Sequence, residues 1–251
     1  MTQHVTLRPE EVLIHAISRM LEGLGHVAVG AASPIPGAAA FLAQQRSGGT
    51  LRVSLLGSEA HNFFTDGGRE LFDCAAQGRI DAFFLGGAQI DGAANINLVG
   101  IGGYPQSRVR FPGSFGSAYL YHLIPRVILF REEHSPRTLV QKVDFISAAG
   151  VSPDNHYRPG GPHALVTGRC IFAFDRESGR FRLQSVHPGH SVAEVREQTG
   201  FAFDLPESVP ETELPDDATL DLIRGPVVRA VAETYPAFAA RVFGVNTESA
   251  A

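Results

Sequence analysis

The stretch Ile80–Ser117, IDAFFLGGAQIDGAANINLVGIGGYPQSRVRFPGSFGS, organises the fold of this chain. Eight of its residues are glycine, and most of them close short apolar runs. The runs end at Gly86-Gly87, at Gly102-Gly103 and at Pro112-Gly113. An apolar run closed by glycine is typical of a buried strand that stops at a sharp turn. We therefore predict three strand ends whose bare backbone N–H groups face a ligand, although plain turns also fit each glycine pair.

Composition bounds the classes of function. The 251 residues are 44% hydrophobic and 19% charged, which is typical of a folded globular protein. A net charge of -5 and scattered arginines argue against nucleic-acid binding, and neither GxGxxG nor GxxxxGK[ST] is present. The N-terminus MTQHVTLRPEE does not resemble a secretory signal, and no apolar run is long enough to span a bilayer. We expect a cytoplasmic protein without membrane contact.

Cysteines and histidines give no metal-binding pattern. Cys74 and Cys170 lie far apart without a CxxC partner, so two buried reduced thiols are expected. His187 and His190 have no nearby Asp, Glu or Cys that would complete a ligand set, which favours a turn. We predict no metal.

Helical and strand patterns alternate along the first part of the chain. Parallel βαβ units follow from this order, and their ligands bind beyond the carboxyl ends of the strands. The fold class predicted is α/β, an open, mainly parallel sheet with flanking helices in a single domain, residues 1–251. The segments are a helix capped by Thr6 and stopped by Gly23, a strand His26–Val29, a helix Ala38–Gln45, a strand Leu51–Leu56 and a helix Arg69–Ala76.

The second half adds strands and short helices. Asp175–Gly179 predicts a hairpin turn between antiparallel strands, and Ser191 is expected to cap a helix. The remaining predictions are strands at Arg126–Phe130, Lys142–Ile146 and Ala164–Thr167, a helix Ala218–Arg224 and one final helix within Val227–Phe243.

Glu59 is the carboxylate that best fits catalysis. It follows the Leu51–Leu56 strand at the predicted ligand edge, where partial burial would suit acid/base or nucleophilic work, although an exposed loop glutamate fits equally well. Asp91 beside Asn95 and Asn97 favours an anchor for neighbouring backbone. Ser114 lacks the first glycine of a GxSxG elbow, because Pro112 occupies that position. Glu132–His134 is interpreted as a solvated turn, and His15 as a surface residue.

Four motifs, taken together, resemble the β subunit of class I CoA-transferases, most closely the small subunit of glutaconate CoA-transferase. They are Phe84–Asp91 with Asn95–Asn97, Arg110–Gly116, Lys142–Ile146 and Val195–Phe201. The resemblance implies a CoA-transferase-like sheet, a coenzyme A thioester as substrate and a homologous α subunit in a heterodimer or heterotetramer. It also implies that backbone or side-chain donors hold CoA or the oxyanion, and the candidates are Gly86, Gly87, Ala88, Gln89, Gly113, Ser114 and Gly116.

One position departs from the family pattern. The family nucleophile is the glutamate of a Glu-x-Gly at the end of the second strand, and aligning that glycine with Gly57 puts Leu55 at the glutamate position. Glu59 lies four residues further on. A second branch, the β subunit of a hydrolase that opens steroid rings as CoA thioesters, also lacks this glutamate and resembles Ser58-Glu59-Ala60. Three hypotheses remain: a CoA-transferase-family subunit acting on an acyl-CoA, a ring-opening C–C hydrolase subunit, and a non-catalytic partner subunit.

Overall fold

The structure is a computed structural model that describes residues 7–245. In chain order its elements are α1 (Pro9–Arg19), β1 (His26–Val29), α2 (Pro34–Arg46), β2 (Arg52–Leu55), α3 (Gly67–Ala76), β3 (Ala82–Leu85), β4 (Gln89–Ile90), β5 (Ile96–Asn97), β6 (Gly100–Ile101), β7 (Val109–Arg110), α4 (Ser117–Leu123), β8 (Arg126–Arg131), β9 (Pro162–Thr167), β10 (Cys170–Asp175), β11 (Arg180–Val186), α5 (Val192–Gln198), α6 (Asp217–Leu222), a π-helical segment (Ile223–Val227), α7 (Val228–Thr234) and α8 (Pro236–Phe243).

The main sheet has seven strands and is mostly parallel. The strand order is β11-β10-β9-β8-β3-β1-β2. The pairs β1–β2, β3–β8 and β8–β9 are parallel, whereas β10 runs antiparallel to both β9 and β11. The predicted α/β class, an open and mainly parallel sheet with flanking helices, is therefore confirmed. No helix within residues 7–245 is long and apolar enough to cross a membrane.

Two compact units divide the chain. The first comprises residues 1–65 and 213–251, and the second comprises residues 66–212. The prediction of one domain over residues 1–251 stays a prediction.

In the first unit, α1 and α2 accompany the parallel pair β1–β2. Pro9 opens α1 because its fixed φ and missing N–H suit the first helical position. The Glu11 side chain is fully buried, and the Arg224 guanidinium binds it through two hydrogen bonds of 2.6 and 2.8 Å. The cap predicted at Thr6 lies outside the described residues. His15 is buried rather than on the surface, which corrects the sequence interpretation.

The C-terminal helical region is broken rather than continuous. Pro226 lies inside the π-helical segment, where its missing N–H interrupts regular α-helical bonding. Tyr235 then has a non-helical backbone, and α8 begins at Pro236. One final helix within Val227–Phe243 was therefore a wrong prediction, because the break at Tyr235-Pro236 divides the stretch into α7 and α8.

In the second unit, β3 and β8–β11 carry the sheet, and the strand predictions hold within a residue or two. The β10–β11 hairpin is antiparallel as predicted. The core around β10 is aromatic, with Phe172 and Phe181 fully buried. Lys142–Ile146 is not a strand, because its backbone N–H groups bond to side chains rather than to a neighbouring strand: Val143 donates to Asp91 at 3.4 Å and Asp144 to Gln89 at 3.0 Å.

Candidate functional site

The end of β2 carries a buried leucine where the resemblance places a glutamate. Leu55 is fully buried, and its Cδ1 lies 3.6 Å from the position that a Cβ at Gly37 would take. The Leu55 N–H donates to the carbonyl of His61 at 2.9 Å, so the chain folds back on itself directly after the strand. Gly57 makes this turn at φ +92°, a conformation that favours glycine. An apolar side chain in this place has no atom that can attack a carbonyl.

Gly57–Ala60, here called the β2 loop, is held by a carboxylate from α7. Ser58 Oγ and the Glu59 N–H each donate to Glu233 at 2.8 Å. Burial alone would raise the pKa of Glu233, but hydrogen bonds from Thr234, Ser58 and the β2-loop backbone hold its pKa below the ordinary value. Glu233 was not predicted from the sequence, because nothing in its alanine-rich surroundings distinguishes it from a solvated helix residue.

Glu59 is exposed in this chain. Its backbone is fixed by Glu233, whereas its side chain stands on the surface of the first unit. Residues 7–245 do not give Glu59 the partial burial expected for a catalytic carboxylate, so its catalytic role stays a prediction.

Gly86 and Gly87 follow β3 in the second unit, and close packing is more severe at Gly87 than at Gly86. A Cβ at Gly87 would lie 2.7 Å from the carbonyl oxygen of Gln89, and one at Gly86 would lie 3.1 Å from that of Phe130. Ala88 donates its N–H to the Asn97 carbonyl at 2.9 Å. The backbone of Gly86 is therefore exposed, whereas the N–H of Ala88 is already bonded to Asn97.

Asp91 is the backbone anchor that the sequence predicted. Its Oδ1 accepts from the N–H groups of Ala93 and Asn95, both at 3.1 Å, and its Oδ2 accepts from the Asn95 amide at 3.1 Å. These bonds compensate the burial of the carboxylate.

A second buried network uses the side chain of Gln89. Its Oε1 accepts from the Asn97 amide at 2.8 Å and from the Asp144 N–H at 3.0 Å. The Asn97 amide also donates to the Gly100 carbonyl at 2.7 Å. The side-chain carbonyl of Gln89 thus ties three segments together, which the motif spacing alone did not reveal.

The glycine loop, residues Gly113–Gly116, leads into α4. Gly113 has φ +107° with open space around its α-carbon, so its backbone is accessible. Phe115 has φ +45°, which a bulky residue rarely adopts, and the residue is 83% exposed. A Cβ at Gly116 would lie 2.2 Å from the Phe72 ring, so a larger residue there would displace that ring. Ser114 is half-buried, and its carbonyl accepts the Ser117 N–H at 2.8 Å.

The three glycine-closed runs are not three ends of one sheet. Only Gly86-Gly87 follows a strand of the main sheet. The run closed by Gly102-Gly103 supplies β5 and β6, and the run closed by Pro112-Gly113 supplies β7. These strands belong to the two-residue antiparallel pairs β4–β5 and β6–β7 instead. The expected row of strand ends was wrong, because runs this short pair locally when asparagine and aspartate side chains hold their turns.

Two buried histidines lie in the second unit with the free thiol of Cys170. His134 bonds to Thr167 Oγ1 at 2.8 Å and to Thr199 Oγ1 at 2.9 Å, and His187 bonds to Thr212 Oγ1 at 2.9 Å. Burial lowers the pKa of each histidine to about 4, and burial raises the pKa of the Cys170 thiol to about 12. The interpretation of His134 as part of a solvated turn was wrong. Cys74 and Cys170 are both buried and free, as predicted.

Metal coordination has no candidate among residues 7–245. These residues contain no group of three or more His, Cys, Asp or Glu side chains that could hold an ion.

Comparison with known proteins assigns the chain to a family. The family model for Coenzyme A transferase matches residues 13–198. The chain belongs to the Coenzyme A transferase family. The match covers Glu59, Gly86–Gln89 and Gly113–Gly116, so all the site residues predicted from sequence lie within it, whereas Glu233 lies outside it.

Curated relatives carry three kinds of name. The CoA-transferase chain is 37% identical over 161 residues to the B subunit of 3-oxoadipate CoA-transferase from Pseudomonas knackmussii, covering 62% of each protein. It is 35% identical over 148 residues to the B subunit of glutaconate CoA-transferase from Acidaminococcus fermentans, covering 56% of this chain and 54% of the relative. It is 28% identical over 173 residues to the IpdB subunit of the cholesterol ring-cleaving hydrolase from Rhodococcus jostii, covering 62% of each. The aligned part therefore spans 54% to 62% of the length of these relatives.

Solved structures extend the likeness over nearly the whole CoA-transferase chain. The decarboxylase AibA/AibB is similar with a TM-score of 0.76 at 25% identity, covering 96% of this chain and 100% of that one. Glutaconate coenzyme A-transferase from Acidaminococcus fermentans has a TM-score of 0.79 at 23% identity, covering 97% and 100%, and this likeness shows the fold. The resemblance on which the sequence analysis rested is thereby confirmed.

Proposed function

We propose that this chain is the β subunit of a CoA-transferase-family enzyme that acts on an acyl-CoA thioester together with an α-subunit partner. The observation that carries the proposal is the family match over residues 13–198, joined to two relatives named as B subunits of CoA-transferases. The names of these relatives, and of the paired AibA/AibB neighbour, support a heteromeric assembly. The cytoplasmic location expected from the sequence remains part of the proposal.

The proposed chemistry is acyl transfer through a carboxylate of the enzyme. A carboxylate oxygen attacks the thioester carbonyl, the C–S bond breaks, and CoA leaves as a thiolate, so that an acyl anhydride forms. The thiolate then attacks the carbonyl of the enzyme carboxyl group, which releases the first acid and leaves CoA on the enzyme. A second acid takes the CoA by the reverse steps. In this proposal Glu59 supplies the carboxylate.

The oxyanion of each tetrahedral intermediate needs backbone donors that are not already committed. Ala88 and Gln89 shape the turn through their bonds to Asn97 and Asp144, so their role in the proposal is to hold the backbone. The accessible main chain at Gly86 and at Gly113 supports these as the donors. Gly87, Ser114 and Gly116 complete the proposed CoA-binding set.

A second candidate is the ring-opening hydrolase. Leu55 favours it, because a fully buried leucine ends the strand where the transferase pattern has its nucleophile. The 28% identity to a cholesterol ring-cleaving hydrolase subunit also supports the hydrolase candidate. In this candidate reaction water is consumed, CoA stays on the product, and the catalytic carboxylate belongs to the partner. A subunit without catalytic residues of its own is the limiting case of this candidate.

The experiment is covalent trapping on the complex of this chain with its α-subunit partner. The complex is incubated with a panel of acyl-CoAs, treated with borohydride or hydroxylamine, and digested for mass spectrometry. We expect a modified peptide carrying Glu59, and we expect Glu59→Gln to lack it. Glu207→Gln is the matched control, because Glu207 is also an exposed loop glutamate.

Two results would separate the candidates. Trapping at Glu59 that persists in the control supports the transferase. Turnover with water consumption, CoA retained on the product and no adduct on this chain supports the hydrolase. Neither activity with any acyl-CoA would reject both.

A further inference from the structure

A small cleft in the second unit lies away from Gly86. Its volume is about 160 Å³, and its lining includes Ser152, His156, Arg158, Phe174 and Arg176. The cleft is formed where the segment before β9 meets the end of β10, since Ala164 of β9 faces Ala173 of β10. Gly86 follows the carboxyl end of β3, so the cleft and Gly86 belong to opposite ends of the strands.

Two guanidinium groups converge on one carbonyl in this cleft. Arg158 Nε donates to the Gly160 carbonyl at 3.0 Å, and Arg176 Nη2 donates to the same oxygen. Arg158 is further fixed by a bond from Nη2 to the Tyr121 carbonyl at 3.2 Å and by its position over the Tyr121 ring at 5.2 Å. Two like charges held together in this way repel each other unless an anion neutralises them.

No carboxylate in the described part of the chain pairs with either guanidinium. Asp154 is in the lining but is exposed and makes no ion pair with them within residues 7–245. Burial and the neighbouring charge of Arg176 both lower the pKa of Arg158, which is the direction expected for an uncompensated pair of cations. Arg176 donates to the Gly160 carbonyl through one Nη2 proton, and its contact with the Arg158 carbonyl is long at 3.5 Å. The second Nη2 proton, together with the adjacent Nε or Nη1 proton, is left for a planar two-point contact.

We infer that the Arg158–Arg176 cleft binds a phosphoryl oxyanion, with Arg176 supplying the two-point contact and Arg158 the second charge. The cleft is smaller than the roughly 300 Å³ at which pockets for drug-sized ligands begin, so the group that enters is one phosphate rather than a whole nucleotide. The source is free phosphate or the 3′-phosphate of a CoA whose remainder lies outside the cleft. This inference stands whether or not the proposed function is correct.

The test measures binding to the full-length chain at constant ionic strength. Inorganic phosphate is titrated against a chloride background, and CoA is compared with dephospho-CoA, with calorimetry and thermal unfolding as readouts. We expect a midpoint of unfolding that rises with phosphate concentration. Arg176→Gln should weaken the binding by roughly tenfold or more, because it removes a charged two-point contact.

Matched variants make the result specific. Arg196→Gln removes the same charge from an exposed position on α5 and should bind as the parent does. Arg176→Lys keeps the charge without the planar guanidinium, so its affinity for phosphate should lie between those of the parent and Arg176→Gln. A preference for CoA over dephospho-CoA that disappears in Arg176→Gln would assign the phosphate to CoA. Absence of binding by both phosphate sources, or equal loss in Arg196→Gln, would overturn the inference.

Discussion

Ser58 and Glu233 are joined by a 2.8 Å hydrogen bond from the serine hydroxyl to the carboxylate. The same carboxylate accepts the N–H of Glu59 at 2.8 Å, so one side chain of α7 holds the β2 loop from two directions. Since this loop carries the proposed nucleophile, its geometry depends on a residue about 175 positions away in sequence. That dependence gives the first prediction.

We predict that Glu233→Gln loosens the β2 loop. An amide accepts through one oxygen only and carries no charge, so the unfolding free energy should fall by about 1 kcal/mol. The folded-state pKa of Glu233 is lowered, so its contribution is present above the ordinary glutamate pKa and is lost as pH falls through the folded value. Hydrogen exchange of the Glu59 amide measures the loosening of the loop, and urea unfolding at several pH values measures the free energy of unfolding. Unchanged exchange at Glu59 would contradict the prediction.

The buried Glu11–Arg224 pair should be far more sensitive than a surface pair. Burial would raise the pKa of Glu11, but the Arg224 hydrogen bonds hold its pKa below the ordinary value. Glu11→Gln removes the carboxylate that the Arg224 guanidinium binds. We expect the free energy of unfolding, measured with urea, to fall by about 3 kcal/mol. Glu22→Gln is the control, because Glu22 meets Arg46 at 3.5 Å in an exposed pair whose loss costs under about 1 kcal/mol. Equal losses in the two variants would show that burial does not set the difference.

Mild acid should destabilise the second unit through its buried histidines. Burial lowers the pKa of His134 and of His187 to about 4, so both rings are neutral in the fold at pH 7. Below the unfolded value of about 6.5 the unfolded chain binds more protons, and stability should fall by about 1.4 kcal/mol per pH unit for each histidine until pH 4. Urea unfolding between pH 7 and pH 4.5 measures the slope.

The control for this prediction is a histidine outside the core. His156 is exposed and does not contribute to the lowered pKa of either buried histidine, so His156→Asn should keep the parental slope, whereas His134→Asn should reduce it. A slope that is the same in parent and His134→Asn would place the acid sensitivity in other groups.

Gly87 should tolerate no side chain. A Cβ there would lie 2.7 Å from the carbonyl oxygen of Gln89, so Gly87→Ala must shift backbone, and we expect a loss of about 2 kcal/mol. Gly103 is the control, because a Cβ there meets nothing within 4 Å and its φ is ordinary. Thermal unfolding of the two alanine variants measures the difference. If Gly87→Ala unfolded at the parental temperature, the close approach would carry no energetic weight.

Local sequence was sufficient to establish the class of fold and the family. Apolar runs of strand length alternate with helical patterns through the first unit, and that order requires parallel crossovers. Hairpin chemistry at Asp175–Gly179 and the cap at Ser191 are local signals, and both were predicted because only neighbouring residues take part. The role of Asp91 as a backbone anchor was predicted for the same reason, since its partners Ala93 and Asn95 lie within four positions.

Tertiary packing, in contrast, sets which polar groups are committed and which are accessible. Glu233 meets Ser58, and His134 meets Thr199, across separations that no local pattern records. The burial of Leu55 and the exposure of Glu59 likewise depend on what packs against the end of β2. Pairing between distant residues is set by the closure of the whole chain, because each contact forms only after many others have fixed the backbone. The arginine pair of the cleft belongs to this second kind, since Arg158 and Arg176 meet only when β9 and β10 are paired.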